Sequence, residues 1–128
     1  MDPDIHPHAT LEQIRSEATY FKVEDWQRQI RQCVNFLREI RPDMSPTAFC
    51  KRQARKQSGY YKHLVEKAGY GGHLSDKGYI FEGAFIEAAI VLGYPTKRLY
   101  PGDQKFSCVF GFDRKDAKRL TKLVESLP

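Results

Sequence analysis

The fold of this chain is decided by the stretch GYIFEGAFIEAAIVLG, residues 78–93. Apolar side chains cover nearly every face of the helix that this stretch predicts, and such a helix lies inside a core. Gly83 within it costs about 1 kcal/mol relative to alanine, which predicts the close approach of another element. Gly93 supplies a C-terminal cap and Pro95 prevents the helix from continuing. We therefore expect a central helix over about residues 78–92.

Amphipathic patterns on either side predict further helices and one hairpin. The predicted elements are helices over about residues 10–20, 23–40, 45–56 and 60–68, strands over 96–100 and 105–112 around the turn 101–104, and a last helix capped by Asp113. In the 23–40 helix, Trp26 belongs to the apolar stripe and is predicted to anchor the core, whereas Gln32 belongs to the polar side. The hairpin is predicted to alternate, with one face packed on the central helix.

These elements predict an α+β fold that is mainly α, with about five or six helices around an apolar central helix and one small β-hairpin. The length of 128 residues fits a single globular domain over residues 10–128, preceded by a flexible lead-in at residues 1–9. Helices followed by a hairpin are also typical of a winged helix. We rank that fold lower, because the helix before the hairpin is too apolar to lie in a DNA groove.

Charge is unevenly distributed along the chain. Of the net charge of +5, residues 1–43 contribute −2 and residues 44–128 contribute +7. Residues 44–65 contain no acidic side chain. The basic residues of this stretch are Lys51, Arg52, Arg55, Lys56 and Lys62. Such a run is typical of contact with phosphates or with an acidic protein surface, and equally typical of a solvated helix face.

The same stretch predicts a helix, tight turn, helix unit, in which residues 57–59 join the two helices. In a helix-turn-helix of this kind the second helix lies in the major groove. The base-edge candidates are then Tyr60, Tyr61, Lys62 and His63, and the phosphate-contact candidates are Lys51, Arg52, Arg55 and Lys56. For His63, a hydrogen-bonded structural role is the alternative.

A second basic cluster lies in the last helix. Its apolar stripe contains Ala117, Leu120, Leu123, Val124 and Leu127. Its exposed side contains Arg114, Lys115, Lys118, Arg119 and Lys122. This cluster joins the first into one surface only if the fold places the two helices side by side, and alone it resembles a solvated face.

The sequence contains no catalytic motif: it lacks a nucleophile elbow, an H-E-x-x-H helix, a P-loop and a Rossmann glycine fingerprint. Cys33, Cys50 and Cys108 are odd in number and widely spaced, which predicts buried thiols in a reducing cytoplasm and no structural disulfide. Only the fold can bring Cys50 to His63, or Cys108 to His73, as nucleophile and base. We therefore expect no enzyme, no cofactor and no metal site.

Residues 78–94, GYIFEGAFIEAAIVLGY, followed by a β-like stretch that ends at Phe110 or Phe112, resemble a pattern that recurs in small uncharacterised proteins of phages and plasmids. The resemblance covers about a quarter of the chain and consists mostly of core residues. It implies an origin in a mobile element, not an activity, and it assigns no functional residue. It favours two functions: handling DNA or RNA, and inhibiting a host defence complex.

From these patterns we expect a nucleic-acid-binding accessory protein of a mobile genetic element, which contacts DNA or RNA phosphates through the basic helix-turn-helix-like unit. The alternative is a non-catalytic inhibitor or adaptor that binds an acidic surface of a host defence or replication complex, with the same arginines and tyrosines as interface hot spots. The N-terminus lacks a signal peptide pattern, and Glu82 and Glu87 interrupt the longest apolar stretch. This predicts a cytoplasmic protein with no membrane partner.

Overall fold

The computed structural model of the protein describes residues 7–50, 56–98 and 107–128. The elements in chain order are α1 (Pro7–Ala18), α2 (Val23–Leu37), a 3₁₀ turn (Ala48–Cys50), α3 (Ser58–Tyr70), α4 (Glu82–Val91), β1 (Thr96–Arg98), β2 (Cys108–Phe110) and α5 (Arg114–Glu125). Within these ranges the fold is α+β and mainly helical, with five α-helices and one pair of antiparallel strands. The predicted fold class is confirmed.

The apolar helix α4 lies at the centre of the fold. It packs against α1, α2 and α3, and every residue from Gly83 to Ala89 is buried. A Cβ atom added at Gly83 would lie 2.9 Å from Ile14 Cγ2 of α1. This confirms the predicted close approach. Gly93 has φ +88°, the left-handed conformation that favours glycine after a helix, and so the predicted cap is confirmed as well.

The central helix begins at Glu82, four residues later than predicted. The segment 79–81 is held by side chains of α2 and α3, which satisfy its backbone polar groups in place of helical bonds. Arg28 donates to the carbonyl of Tyr79 (2.9 Å), Lys62 to the carbonyl of Ile80 (3.1 Å), and Glu66 and Gln29 accept from the N–H groups of Ile80 (3.0 Å) and Phe81 (2.7 Å). This network fixes the entry to α4.

The prediction that Gln32 lies on a solvated face of α2 is wrong, because α3 covers that side of the helix. Gln32 is fully buried. Its Nε2 donates to the carbonyl of Val65 at 3.4 Å, and its Oε1 accepts from Arg28 at 3.0 Å. Burying an amide is tolerated here because both of its polar atoms are bonded. Trp26, the predicted core anchor, is partly buried and packs at the edge of the core.

Aromatic rings join α3, α4 and the hairpin. Tyr61 stacks on Phe85 with centroids 5.5 Å apart and an angle of 4° between the rings. Phe110 and Phe112 stack on each other at 5.1 Å, and Phe110 meets Phe85 edge-on at 5.3 Å. Aromatic contacts of this kind add to the hydrophobic burial of large rings. They place α3 and β2 on the same side of α4.

The predicted hairpin is confirmed as an antiparallel pair, with Thr96 opposite Phe110 and Arg98 opposite Cys108. The predicted alternation in β2 is wrong, since Val109 is buried as well as its neighbours. The 3₁₀ turn Ala48–Cys50 contacts β2, so the strand is covered on more than the α4 side. Residues 99–106, including the predicted turn, lie outside the described ranges.

Three predicted boundaries change. Helix α1 begins at Pro7, so residues 7–9 of the predicted lead-in are helical. In the predicted 45–56 helix, the described residues form only the turn at Ala48–Cys50, and residues 51–55 lie outside the described ranges. Helix α3 begins at Ser58 rather than at Tyr60. Ser58 is buried, its Oγ donates to the Glu82 carboxylate, and it accepts from a β2 backbone N–H at 3.0 Å, which ties the start of α3 to α4 and to the hairpin.

Candidate nucleic-acid interface

Helix α5 forms where the sequence predicts it, but Leu123, which is predicted to belong to its buried stripe, is exposed. Asp113 caps it, with Oδ1 accepting from the N–H of Asp116 at 3.0 Å. Ala117, Leu120 and Val124 are buried against the core. Their spacing of three and four residues places one stripe inward, and the opposite side therefore faces solvent.

The acidic side chains of α5 are engaged in bonds within the protein. Asp116 accepts from the backbone N–H of Arg41 at 3.0 Å, from Arg41 Nε at 2.8 Å and from Arg119 Nη2 at 3.2 Å. The side-chain and backbone hydrogen bonds from Arg41 lower the pKa of Asp116 to about 2. Glu125 accepts from the Tyr60 hydroxyl at 3.2 Å. Asp116 is thus buried and paired with Arg41 and Arg119, whereas Glu125 is exposed and keeps its negative charge on the surface of α5.

Most of the basic side chains on the outer face of α5 are free. Four of them are exposed and bond to no other described residue: Arg114, Lys115, Lys118 and Lys122. Arg114, Lys118 and Lys122 are spaced by four residues, which places them in one row along the helix about 6 Å apart. Arg119 is the exception, since it bonds to Asp116. These four side chains therefore form no ion pair with any residue that the structure describes.

Arg41 extends this surface, and sequence reasoning missed it. It follows α2, yet its guanidinium bonds to Asp116 of α5, 75 positions away in the chain, while 74% of its side chain remains exposed. No local pattern marks Arg41, because its position depends on the packing of the end of α2 against the start of α5. We name Arg41, Arg114, Lys115, Lys118 and Lys122 the α5 basic face.

The first basic cluster of the sequence is described only in part. Lys51, Arg52 and Arg55 lie outside the described ranges. Lys56 is described, and its Nζ lies 4.1 Å from the centroid of the Tyr60 ring. Because the hydroxyl of that tyrosine bonds to Glu125 of α5, Lys56 lies beside the C-terminal part of α5. The described end of the first cluster therefore neighbours the α5 helix.

Two of the predicted base-edge residues are not available for base contacts. Tyr61 is only 1% exposed, and burial raises the pKa of its hydroxyl. Its prediction is wrong because α3 begins at Ser58, and positions 58, 61, 64, 65 and 68 form the buried face of that helix. Lys62 is half-buried, and its Nζ bonds to the Ile80 carbonyl at 3.1 Å and lies 3.8 Å from Glu66 Oε1. Its ammonium group is therefore already bonded to other groups of the protein.

The other two predicted base-edge residues lie nearer to solvent. His63 is exposed, with Nδ1 2.9 Å from Glu66 Oε1, which is the hydrogen-bonded arrangement that the sequence left open as its alternative. Tyr60 is partly buried, with Lys56 over its ring and its edge toward Tyr61. The N-terminal part of α3 therefore presents fewer groups to a partner than α5 does.

The thiols and histidines do not assemble into a nucleophile and base among the described residues. Cys33 and Cys108 are buried, as predicted, and burial raises the pKa of Cys108 to about 12. His73 Nε2 lies 2.7 Å from Glu39 Oε2. The side chain of Cys50 lies outside the described part. A thiol with a raised pKa carries little thiolate at neutral pH, and this opposes nucleophilic catalysis at Cys108.

The described residues form neither a metal-ligand cluster nor a membrane-spanning helix. No group of three or more histidine, cysteine, aspartate or glutamate side chains in the described ranges is arranged to hold a metal ion. None of the described helices combines the length and the apolar character that crossing a bilayer demands.

Comparison with protein-family models, curated proteins and solved structures found no match. The fold and the α5 basic face are therefore interpreted from their own geometry.

Proposed function

We propose that this protein binds the phosphate backbone of nucleic acid through the α5 basic face, with Lys56 beside it. The observation that carries this proposal is the separation of charges on α5. Asp113 and Asp116 bond within the protein, while four outward cations bond to no described residue. An ordinary solvated face would pair its charges along the helix at intervals of three or four residues.

Phosphate binding by such a face depends strongly on salt. Each neutralised phosphate releases condensed counterions, so the logarithm of the affinity for duplex DNA falls with the logarithm of salt with a slope of about −0.9 per contact. Four contacts from the free cations give a slope of about −3.6. Between 50 and 200 mM salt this slope lowers the affinity by roughly 150-fold.

The test is fluorescence anisotropy with labelled duplex DNA, single-stranded DNA and RNA, each titrated from low to physiological salt. The variant Lys118→Glu/Lys122→Glu reverses two free cations of the row. The matched control is Lys22→Glu/Lys77→Glu, which reverses two exposed lysines outside α5. Both variants lower the formal net charge from +5 to +1. A difference in binding between them therefore reports where the charges lie and not how many there are.

We expect the α5 variant to reduce the salt slope by about 2 and to weaken binding at least tenfold, with a small effect in the control. Equal effects of the two variants would show that total charge alone governs binding. Absence of binding at low salt to all three nucleic acids would refute the proposal. The binding profile also distinguishes DNA from RNA.

A third variant, Arg52→Glu/Arg55→Glu, tests the helix-turn-helix-like unit that the sequence predicts. If this variant weakens binding as much as the α5 variant, the first basic cluster contributes to the same interface. If it leaves binding unchanged while the α5 variant weakens it, recognition through that unit is excluded and the α5 basic face remains.

The alternative of a protein-binding inhibitor or adaptor stays a prediction, as does the origin in a mobile element. Salt separates the two functions, because an interface centred on aromatic side chains loses much less affinity than a phosphate interface when salt rises. Capture of a protein partner that survives high salt, without nucleic-acid binding at low salt, would favour the alternative.

A further inference from the structure

A cleft lined with aromatic rings lies where α1 ends and the segment 79–81 begins. Its volume is about 390 Å³. It is lined by Glu17, Tyr20, Phe21, Tyr79 and Phe81. Clefts of this size accommodate small ligands. The sequence gives no local sign of it, since its two parts are about 60 positions apart.

Phe21 is the centre of the aromatic group. Its centroid lies 5.6 Å from that of Phe81, 6.4 Å from that of Tyr79 and 5.9 Å from that of Trp26. Tyr20 extends from the rim with 89% of its surface exposed, and Tyr79 is 53% exposed. A contiguous patch of exposed aromatic rings is typical of a binding site, whereas single exposed rings are ordinary on protein surfaces.

The wall formed by residues 79–81 is fixed before any ligand arrives. Its backbone is held by Arg28, Gln29, Lys62 and Glu66, through hydrogen bonds of 2.7–3.1 Å. Four side chains from two helices thus hold a three-residue segment whose tyrosine ring faces solvent. A rigid wall reduces the conformational entropy that binding would otherwise cost.

The charges of the cleft favour a cation. The faces of aromatic rings are negative, and the one lining side chain that is charged at neutral pH is the carboxylate of Glu17. Glu17 is partly buried and bonds through its side chain to no described residue. The Tyr79 ring already attracts one ammonium group, since Lys62 Nζ lies 4.6 Å from its centroid. The lining itself contains no cation, so the cleft differs in kind from the α5 basic face.

We propose that this cleft binds an alkylated ammonium cation, with the rings of Tyr20, Phe21, Tyr79 and Phe81 against its methyl groups and Glu17 balancing its charge. Such a cation is weakly hydrated, and aromatic surroundings with a nearby carboxylate are the chemistry that recognises it. The group belongs either to a free quaternary amine or to a methylated lysine of a partner protein. The proposal does not depend on nucleic-acid binding.

Trp26 allows a direct test, because it is the sole tryptophan and its ring lies 5.9 Å from Phe21 and 6.2 Å from Phe81. The full chain is titrated with tetramethylammonium and with choline, with tryptophan fluorescence and saturation-transfer NMR of the methyl signals as readouts. The neutral isostere 3,3-dimethyl-1-butanol is the control ligand, since it has the shape of choline without the charge. The cations are expected to bind at least tenfold more tightly than the isostere.

Two variants test the residues. Glu17→Gln removes the charge, and Tyr79→Leu removes a ring while keeping apolar volume. Each is expected to weaken cation binding about 3- to 30-fold. The matched control is Glu24→Gln, which removes an exposed carboxylate of α2 outside the cleft lining and is expected to leave binding unchanged.

The source of the cation is resolved with a trimethyllysine peptide. Tighter binding of the peptide than of free trimethyllysine identifies a partner side chain, and equal binding identifies a free amine. Equal affinity for choline and its neutral isostere would overturn the proposal, as would cation binding that is unchanged in both variants. Absence of binding in both readouts would overturn it as well.

Discussion

Replacing Asp116 with asparagine should lower the free energy of unfolding at neutral pH by about 1–2 kcal/mol. The folded protein lowers the pKa of this carboxyl from 3.8 to about 2, chiefly through its hydrogen bonds with Arg41. At about 1.36 kcal/mol per pKa unit, this shift corresponds to at most roughly 2.4 kcal/mol. The side chain of Arg41 is 74% exposed, so water screens part of the interaction and we expect the lower value.

The pH dependence identifies the cause. Because the folded protein lowers the pKa of Asp116, its contribution is complete above the unfolded value of 3.8 and is lost as the pH falls through about 2. The difference in stability between the wild type and Asp116→Asn should therefore be constant from pH 7 to pH 5. By pH 3 it should shrink to roughly half, because the carboxylate of the unfolded chain is by then mostly protonated.

The assay is urea unfolding followed by tryptophan fluorescence and circular dichroism, at pH 7, 5 and 3. Glu24→Gln is the control, since it removes an exposed carboxylate without a described partner, and its difference from the wild type should stay near zero at each pH. A difference for Asp116→Asn that is as large at pH 3 as at pH 7 would refute the reasoning. So would a difference near zero at pH 7 with an unchanged dependence on urea.

Three further predictions follow from buried groups. Tyr94→Phe should lower the unfolding free energy by about 1–3 kcal/mol in urea melts, because the buried hydroxyl donates to the backbone carbonyls of Leu37 and Ile40 and both hydrogen bonds are lost. An unchanged midpoint would contradict this. Gly69→Ala should destabilise by about 1–3 kcal/mol, since the new Cβ would lie 2.6 Å from a backbone carbonyl, whereas Gly59→Ala in the same helix meets its nearest atom at 3.5 Å and should be neutral or slightly stabilising; equal thermal melts of the two variants would count against the packing. Cys33 and Cys108 should react with a thiol reagent only on unfolding, because burial raises the pKa of both thiols. The measurement uses the variant Cys50→Ser, which retains only these two cysteines. Fast labelling of this variant in its native state would disprove their burial.

The parts of the fold that the sequence predicts well depend on local patterns. The all-apolar stretch places α4 at the centre, Gly93 ends it, and Asp113 caps α5. Each rule uses residues within one or two helical turns, so neither the neighbours nor the topology need to be known. The hairpin is predicted for the same reason, since its two strands are close in sequence.

The candidate site is predicted only in part, because local patterns do not say which face of a helix is covered. The tyrosine pair at the start of α3 has the composition of a recognition helix, yet Tyr61 lies in the aromatic core and stacks on Phe85. Likewise, Gln32 belongs to the polar side of α2 by composition but lies against α3. In both cases packing of a second element decides the outcome.

The sequence by itself determined the approximate positions of the five described α-helices, which of them is the most apolar, and that positive charge collects in the last two-thirds of the chain. It also predicted a helix over 45–56, of whose described residues only 48–50 form a 3₁₀ turn. Only the tertiary structure decided that Arg41 meets Asp116, that four of the five cations of α5 form no ion pair with a described residue, and that Phe21 meets Tyr79 and Phe81. The physical reason is the separation along the chain over which each kind of interaction acts. Backbone hydrogen bonds and side-chain periodicity act over a few residues, whereas ion pairs and ring contacts depend on distances in space that are set when separate elements bury their apolar faces together.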